Sequence, residues 1–154
     1  MKITRLVLIF LLFIGCEPMY CNKYVVRNET SHSIKIQAYS RFGDVNYLQK
    51  SERIYIAPNS SYTAVKQSGY HADPEGIFLR FEIDSVSISF DSTKVMVQYC
   101  ENGLLRFCDI ERNIMNIDGE YEAKKIGRSS GHNEYQFTYT ITEEDYENAI
   151  SNDN

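Results

Sequence analysis

Over most of the chain apolar and polar residues alternate with a period of two, the period of strands that bury one face. Ile34, Ile36 and Ala38 alternate with Lys35 and Gln37, and Val86, Ile88 and Phe90 with Ser85, Ser87 and Ser89. Tyr135, Phe137, Tyr139 and Ile141 alternate with Gln136, Thr138 and Thr140. Ile77, Leu79, Phe81 and Ile83 alternate with Phe78, Arg80 and Glu82 over seven residues, which predicts a half-buried strand. Shorter strands are predicted at Tyr24–Asn28, around Ile54 and Ile56, at Tyr62–Lys66, Lys94–Tyr99 and Glu120–Ile126. Turn chemistry separates them at Asn28–His32, Pro58–Asn59, Asp91–Thr93 and Asp118–Gly119, with polar loops over 41–51, 71–76 and 127–131.

One segment changes period. Thr142-Glu143-Glu144-Asp145 reads as an N-cap with an acid reaching back from three residues on, and its carboxylates favour the positive end of a helix dipole. Tyr146, Ala149 and Ile150 would share the apolar face of a short helix, and residues 151–154 form a disordered tail. About eight short strands with no long helix between them predict an all-β fold, an antiparallel β-sandwich of immunoglobulin-like type with a short C-terminal helix. Parallel pairing is set aside because it needs crossover helices; a closed barrel is the alternative.

The N-terminus departs from both periods. Leu6 to Ile14 is an unbroken run of nine apolar residues after Lys2 and Arg5. It is short of the roughly 20 residues that cross a bilayer, but has the length of the apolar region of an export signal. The run ends Phe13-Ile14-Gly15-Cys16, which resembles a bacterial lipobox, with Phe13 where that family usually carries Leu. The resemblance implies a signal peptide over 1–15, acylation of Cys16, and a tether over 16–23 leading into one sandwich domain over 24–150. A lipidated β-domain with the helix Thr142-Glu-Glu-Asp-Tyr146 also resembles small Bacteroidetes lipoproteins. That likeness implies a cell-envelope location, on the outer membrane. Asp84-Ser85-Val86 and Asp91-Ser92-Thr93 further match the tripeptide pattern on which that phylum O-glycosylates exported proteins; as plain residues they are turns flanking strands.

Charge removes one class of partner. Setting aside Lys2 and Arg5 leaves 14 of the 16 bases against all 21 acids, a formal charge of −7 for the exported body. An acidic body without a basic aromatic cluster is repelled by phosphates, so nucleic acid is not expected as a partner. The expected partners are the lipid bilayer, through Cys16, and a protein or glycan.

After Cys16 the chain has Cys21, Cys100 and Cys108. Cys100 and Cys108 flank Asn102-Gly103 and either form a disulfide or stand as free thiols. A two-residue turn at Asn102-Gly103 would set Cys100 opposite Leu105, so a bridge requires a wider loop or a slipped register. Three cysteines without a CxxC pair do not make a zinc site.

No residue pattern carries a recognisable chemistry. His32, His71 and His132 all fall in predicted loops, and no serine or cysteine sits in a nucleophile-elbow context. His71, Asp73 and Glu75, at alternate positions, can present ligands to a divalent ion, although Pro74 favours a plain turn. Asp118, Glu120 and Glu122 line one face of a strand, either as paired carboxylates or as a solvated face. Tyr39, Phe42, Tyr47, Tyr62 and Tyr70 lie in or beside loops, where aromatic rings stack on sugars or partner surfaces, or else fill the edges of the sandwich. No catalytic residue, metal or cofactor is assigned. The expected function is non-catalytic binding or assembly; the alternative is a small hydrolase or metal-dependent enzyme whose site residues gather from separate loops.

Overall fold

The computed structural model describes residues 20–41, 48–68, 77–78, 83–101, 103–129 and 132–151. Among them, nine strands form two sheets: β1 (Tyr20–Asn28), β2 (Ile34–Arg41), β3 (Leu48–Ile56), β4 (Ser61–Ser68), β5 (Ser85–Phe90), β6 (Lys94–Tyr99), β7 (Glu122–Ser129), β8 (His132–Ile141) and β9 (Ile150–Ser151). The four-stranded sheet has the order β4-β1-β8-β7 and the five-stranded sheet β3-β2-β5-β6-β9. The helices are short: α1 (Ile117–Glu120), α2 (Glu143–Asn148) and a single 3-10 turn at Leu105–Phe107. The fold is an all-β sandwich.

Period-two patterning becomes one core because each sheet turns its apolar face inward. Ile34 pairs with Ile56 and Phe90, and Ile36 with Ile54 and Ile88, so three strands present matched rows of branched and aromatic side chains. The other sheet answers with Tyr24, Val26, Tyr139 and Ile141, and residues of both sheets belong to one buried cluster. Tyr24 stacks on Phe137 with ring centroids 5.4 Å apart, and Tyr121 tilts against Tyr139 at the same separation. Burying a large side chain of this kind contributes about 1.5–3 kcal/mol each, which offsets the entropy of ordering the strands.

Several boundaries differ from the sequence expectation. β1 begins at Tyr20, not Tyr24, so four residues assigned to the tether pair with β4, from Tyr20 opposite Ser68 to Lys23 opposite Val65. β1 and β8 run parallel, with Val26 opposite Tyr139. The crossover-helix argument fails for this pair because the whole intervening chain, not one short connection, joins the two strands. Ile77 and Phe78 are both buried and lie in a bend, and Ile83 and Asp84 are outside β5, so the alternation there does not make a strand at either end; residues 79–82 lie outside the described set. Asp118-Gly119 sits within α1, capped by Asn116, whose Oδ1 accepts from the Gly119 amide at 3.1 Å. The expected loop at 127–131 is largely the β7–β8 ladder, which runs to Ser129 opposite His132.

At the C-terminus Thr142 and Asp145 form the capping box, and α2 follows. The helix stops at Asn148, so Ala149 is buried but Ile150 is 74 % exposed and pairs, as β9, with Val95. Ser151, assigned to the tail, is part of that pairing. No helix among the described residues is long and apolar enough to cross a membrane.

Candidate functional site

β1 carries the chain from one end of the sandwich, at Tyr20, to the other, at Asn28, where side-chain hydrogen bonds tie the described loops to one another. Asn28 is fully buried, and its amide is the hub. Its Nδ2 donates to the carbonyls of His32 at 2.7 Å and Ala57 at 3.0 Å, while its Oδ1 accepts from the Thr30 amide at 3.0 Å and hydroxyl at 2.7 Å. A buried carboxamide with both ends satisfied holds the β1–β2 loop and the β3–β4 turn in one geometry. The backbone completes the tie: Asn28 N donates to Ser60 O at 2.8 Å. Asn59 in that turn takes a φ of 51°, a left-handed conformation that asparagine tolerates.

Beside this hub Arg27, Asn28, Glu29, Asn59, Ser60 and Ser61 line an open recess of about 290 Å³. Arg27 Nη1 and Glu29 Oε1 stand 3.2 Å apart, both about half exposed. The recess is open and lined by polar residue types, and its volume is just below that usual for an enclosed small-molecule pocket. It suits hydroxyl or amide groups presented from a larger surface.

The same loop is fastened on its other flank. Asp91 and Ser92 both take positive φ, 46° and 63°, in the β5–β6 turn. The turn aims the Asp91 carboxylate at the β1–β2 loop, where Oδ1 accepts from Ser33 N at 2.8 Å and Oδ2 meets His32 Nδ1 at 2.7 Å. The His32 bond, then the Ser33 amide, hold the Asp91 carboxyl below its ordinary value. Ser31 N donates to Glu143 Oε1 at 2.6 Å, and this amide lowers the Glu143 carboxyl likewise. The His32 ring stacks on Tyr146 of α2 with centroids 3.7 Å apart, and Lys94 Nζ lies 4.4 Å from the centroid of the same Tyr146 ring. Lys94 also donates to the carbonyls of Tyr146 at 3.0 Å and Glu147 at 3.2 Å, closing the end of the helix.

A histidine oriented by a carboxylate is half of a general-base pair, and the other half is a nucleophile. Among the described residues no serine, threonine or cysteine side chain hydrogen-bonds the His32 ring, and no group of histidines, cysteines and carboxylates is placed to hold a metal ion. The cross-loop bonds of Asn28, Asp91 and Glu143 set the shape of the polar surface at this end.

The residues singled out in the sequence are placed as follows. Cys16, Phe42, Tyr47 and Tyr70 lie outside the described residues, as do His71, Asp73 and Glu75. Tyr39 is in β2, half-buried opposite Ser85, and Tyr62 is in β4, opposite Val26 and packed against the core. Neither is on the polar loops at the Asn28 end. Cys100 and Cys108 are joined by a disulfide with Cα atoms 5.9 Å apart. The loop is wider than a hairpin, because the chain enters the 3-10 turn instead of a returning strand, and it leaves no thiol at Cys108 for chemistry. Asp118 and Glu120 lie on α1 and Glu122 opens β7, so the three do not share a strand face; Glu120 instead accepts from Arg112 N at 3.1 Å. Ser92 is exposed in its turn and Ser85 half-buried at the start of β5.

His32, Asp91 and Tyr146 were not legible as a group. Each lies in a segment whose turn or helix character the sequence declares, but the three come from loops and a helix far apart in the chain. No family model matches this chain, and no curated protein or solved structure matches it.

Proposed function

We propose that the chain is an exported, lipid-anchored envelope protein whose sandwich is a non-catalytic binding or assembly module for a protein or glycan. The lipobox-like Phe13-Ile14-Gly15-Cys16 supports the anchor, and one structural observation carries the binding role. The sandwich begins at Tyr20, four residues after Cys16, and β1 runs directly to the tied loops at the opposite end. Nine residues of strand span about 26 Å, so an anchor at Cys16 puts the recess beside Arg27 and the His32–Asp91 pair on the side away from the bilayer. Rigid polar loops with exposed donors and acceptors, already ordered before contact, bind with little entropic loss. The acidic body is poorly suited to nucleic acid.

The test has two arms. Labelling with a palmitate analogue must mark the wild-type chain and not Cys16→Ala; unlabelled wild type, or a labelled variant, refutes the anchor. A partner recovered from crosslinked envelopes, or a glycan bound on an array, must be lost from a variant carrying Arg27→Ala and Asn59→Gly. Undiminished binding by that variant refutes the assignment to these loops.

A further inference from the structure

At the Tyr20 end the sandwich leaves several apolar side chains exposed. Phe107, in the 3-10 turn of the disulfide loop, is 72 % exposed, and Arg106 lies over its ring at 4.3 Å. The ring is held on a firm base: Leu105 is fully buried, its amide donates to Ile83 O at 2.7 Å, and Asn113 Nδ2 binds the carbonyls of Leu105 and Cys108. Tyr99, the last residue of β6, is 44 % exposed; Ile126, at the β7 bulge, and Tyr135, opposite Lys125, are also exposed. Tyr135 N donates to Asn22 Oδ1, which sets it level with the start of β1. Single exposed apolar residues are ordinary, but four at one end, three from the two sheets and one from the disulfide loop, call for a cover.

Chain length identifies the cover. Only Glu17, Pro18 and Met19 stand between Cys16 and Tyr20, so the two Cα atoms are at most about 14 Å apart. An acylated Cys16 lies at the headgroup level, and a link of that length cannot hold the Tyr20 end clear of the interface. Resting on the lipid anchor of the preceding section, we propose that the Tyr20 end of the sandwich seats on the bilayer surface, with Phe107, Tyr99 and Tyr135 entering the boundary between headgroups and acyl chains. Aromatic rings favour that boundary. With a body charge of −7 the seat is apolar and not electrostatic, and it holds the polar loops of the Asn28 end outward.

The chain contains no tryptophan, so Phe107→Trp and Tyr55→Trp each supply a single fluorophore in the full chain, the second toward the opposite end, where Tyr55 is 65 % exposed. Each variant is exported, acylated, and reconstituted in vesicles of equal parts phosphatidylethanolamine and phosphatidylglycerol, with or without brominated acyl chains. The F107W emission is expected to shift blue and fall about twofold or more with bromolipid, unaffected by added salt, while that of Y55W is unchanged. Palmitate-labelled, vesicle-bound F107W without quenching overturns the seat and leaves the anchor standing. A blue shift without bromine quenching overturns it in favour of a second copy as the cover. No palmitate label and no vesicle association brings down the anchor, and the seat with it. Tyr99→Trp repeats the test at a separate position, so one poorly folded variant does not decide it.

Discussion

Arg112 and Asp145 meet edge to edge: Nε donates to Oδ1 at 2.8 Å and Nη2 to Oδ2 at 2.6 Å. Arg112 takes a φ of 59°, unusual for a residue with a side chain, and the surrounding bonds hold it there. Its carbonyl accepts from Gln98 Nε2 and from Tyr139 Oη, its Nη2 also reaches Thr140 O, and Asp145 is the capping acid of α2. Thus one pair joins the 108–116 segment, both sheets and the C-terminal helix. Asp145 raises the affinity of the guanidinium for its proton, against the desolvation that opposes it. Asp145→Asn is expected to lower unfolding free energy by about 2 kcal/mol, short of the full loss for a buried pair because the Arg112 side chain is 37 % exposed. Urea denaturation measures it, and an unchanged midpoint refutes the role.

The disulfide closes a loop with a sequence separation of 8. Chain entropy for a loop of that length corresponds to about 2.5 kcal/mol. Replacing Cys100 and Cys108 together by serine should lower stability by about that amount. Because the loop carries Leu105 into the core, hydrogen exchange near Ile83 should rise as well. A non-reducing peptide map that links either cysteine to Cys21 would contradict the pairing.

The lowered carboxyls of Asp91 and Glu143 set an acid limit to the order of the β1–β2 loop. A depressed folded pKa contributes stability that is complete above the unfolded values, 3.8 for aspartate and 4.5 for glutamate, and is lost as pH falls through the folded ones. NMR titration should therefore show both midpoints below those values. His32→Ala should return Asp91 upward and leave Glu143 nearly in place, since its main partner is the Ser31 amide. Coincident movement of both carboxyls would show that the two ties are not separate.

The alkaline limit lies in the core. Burial pushes the Tyr121 hydroxyl well above the ordinary 10.0, where it donates to Ile114 O at 2.8 Å, and burial raises Tyr139 also. A folded-state pKa that is raised contributes stability that is complete below 10 and declines as pH rises above it, because the unfolded chain loses its protons first. Tyr121→Phe should flatten the fall in stability above about pH 10 while costing about 1 kcal/mol at neutral pH for the lost hydrogen bond. Equal alkaline slopes for the variant and the wild type would assign the effect elsewhere.

Much of the sandwich was readable because strand burial leaves a local record. Val86, Ile88 and Phe90 had only one way to face once Ser85, Ser87 and Ser89 were placed, and Thr142 with Asp145 declared a helix start within four residues. The same pattern misled at Ile77 and Phe78, where both neighbours are buried in a bend and alternation loses its meaning. Tyr20–Lys23 reads as linker in the sequence and is strand because β4 lies alongside it.

What the chain alone determined is most of the one-faced strands, the turns at Asn28–His32, Pro58–Asn59 and Asp91–Thr93, the capped helix and the apolar run ending at Cys16, since each depends on residues a few positions apart. Tertiary structure decided the parallel β1–β8 pair, the disulfide loop, the His32–Asp91 contact and the Arg112–Asp145 pair. Those depend on which segments meet across tens of residues. The closure of such loops is governed by the packing of the whole core, and no short window of sequence records it.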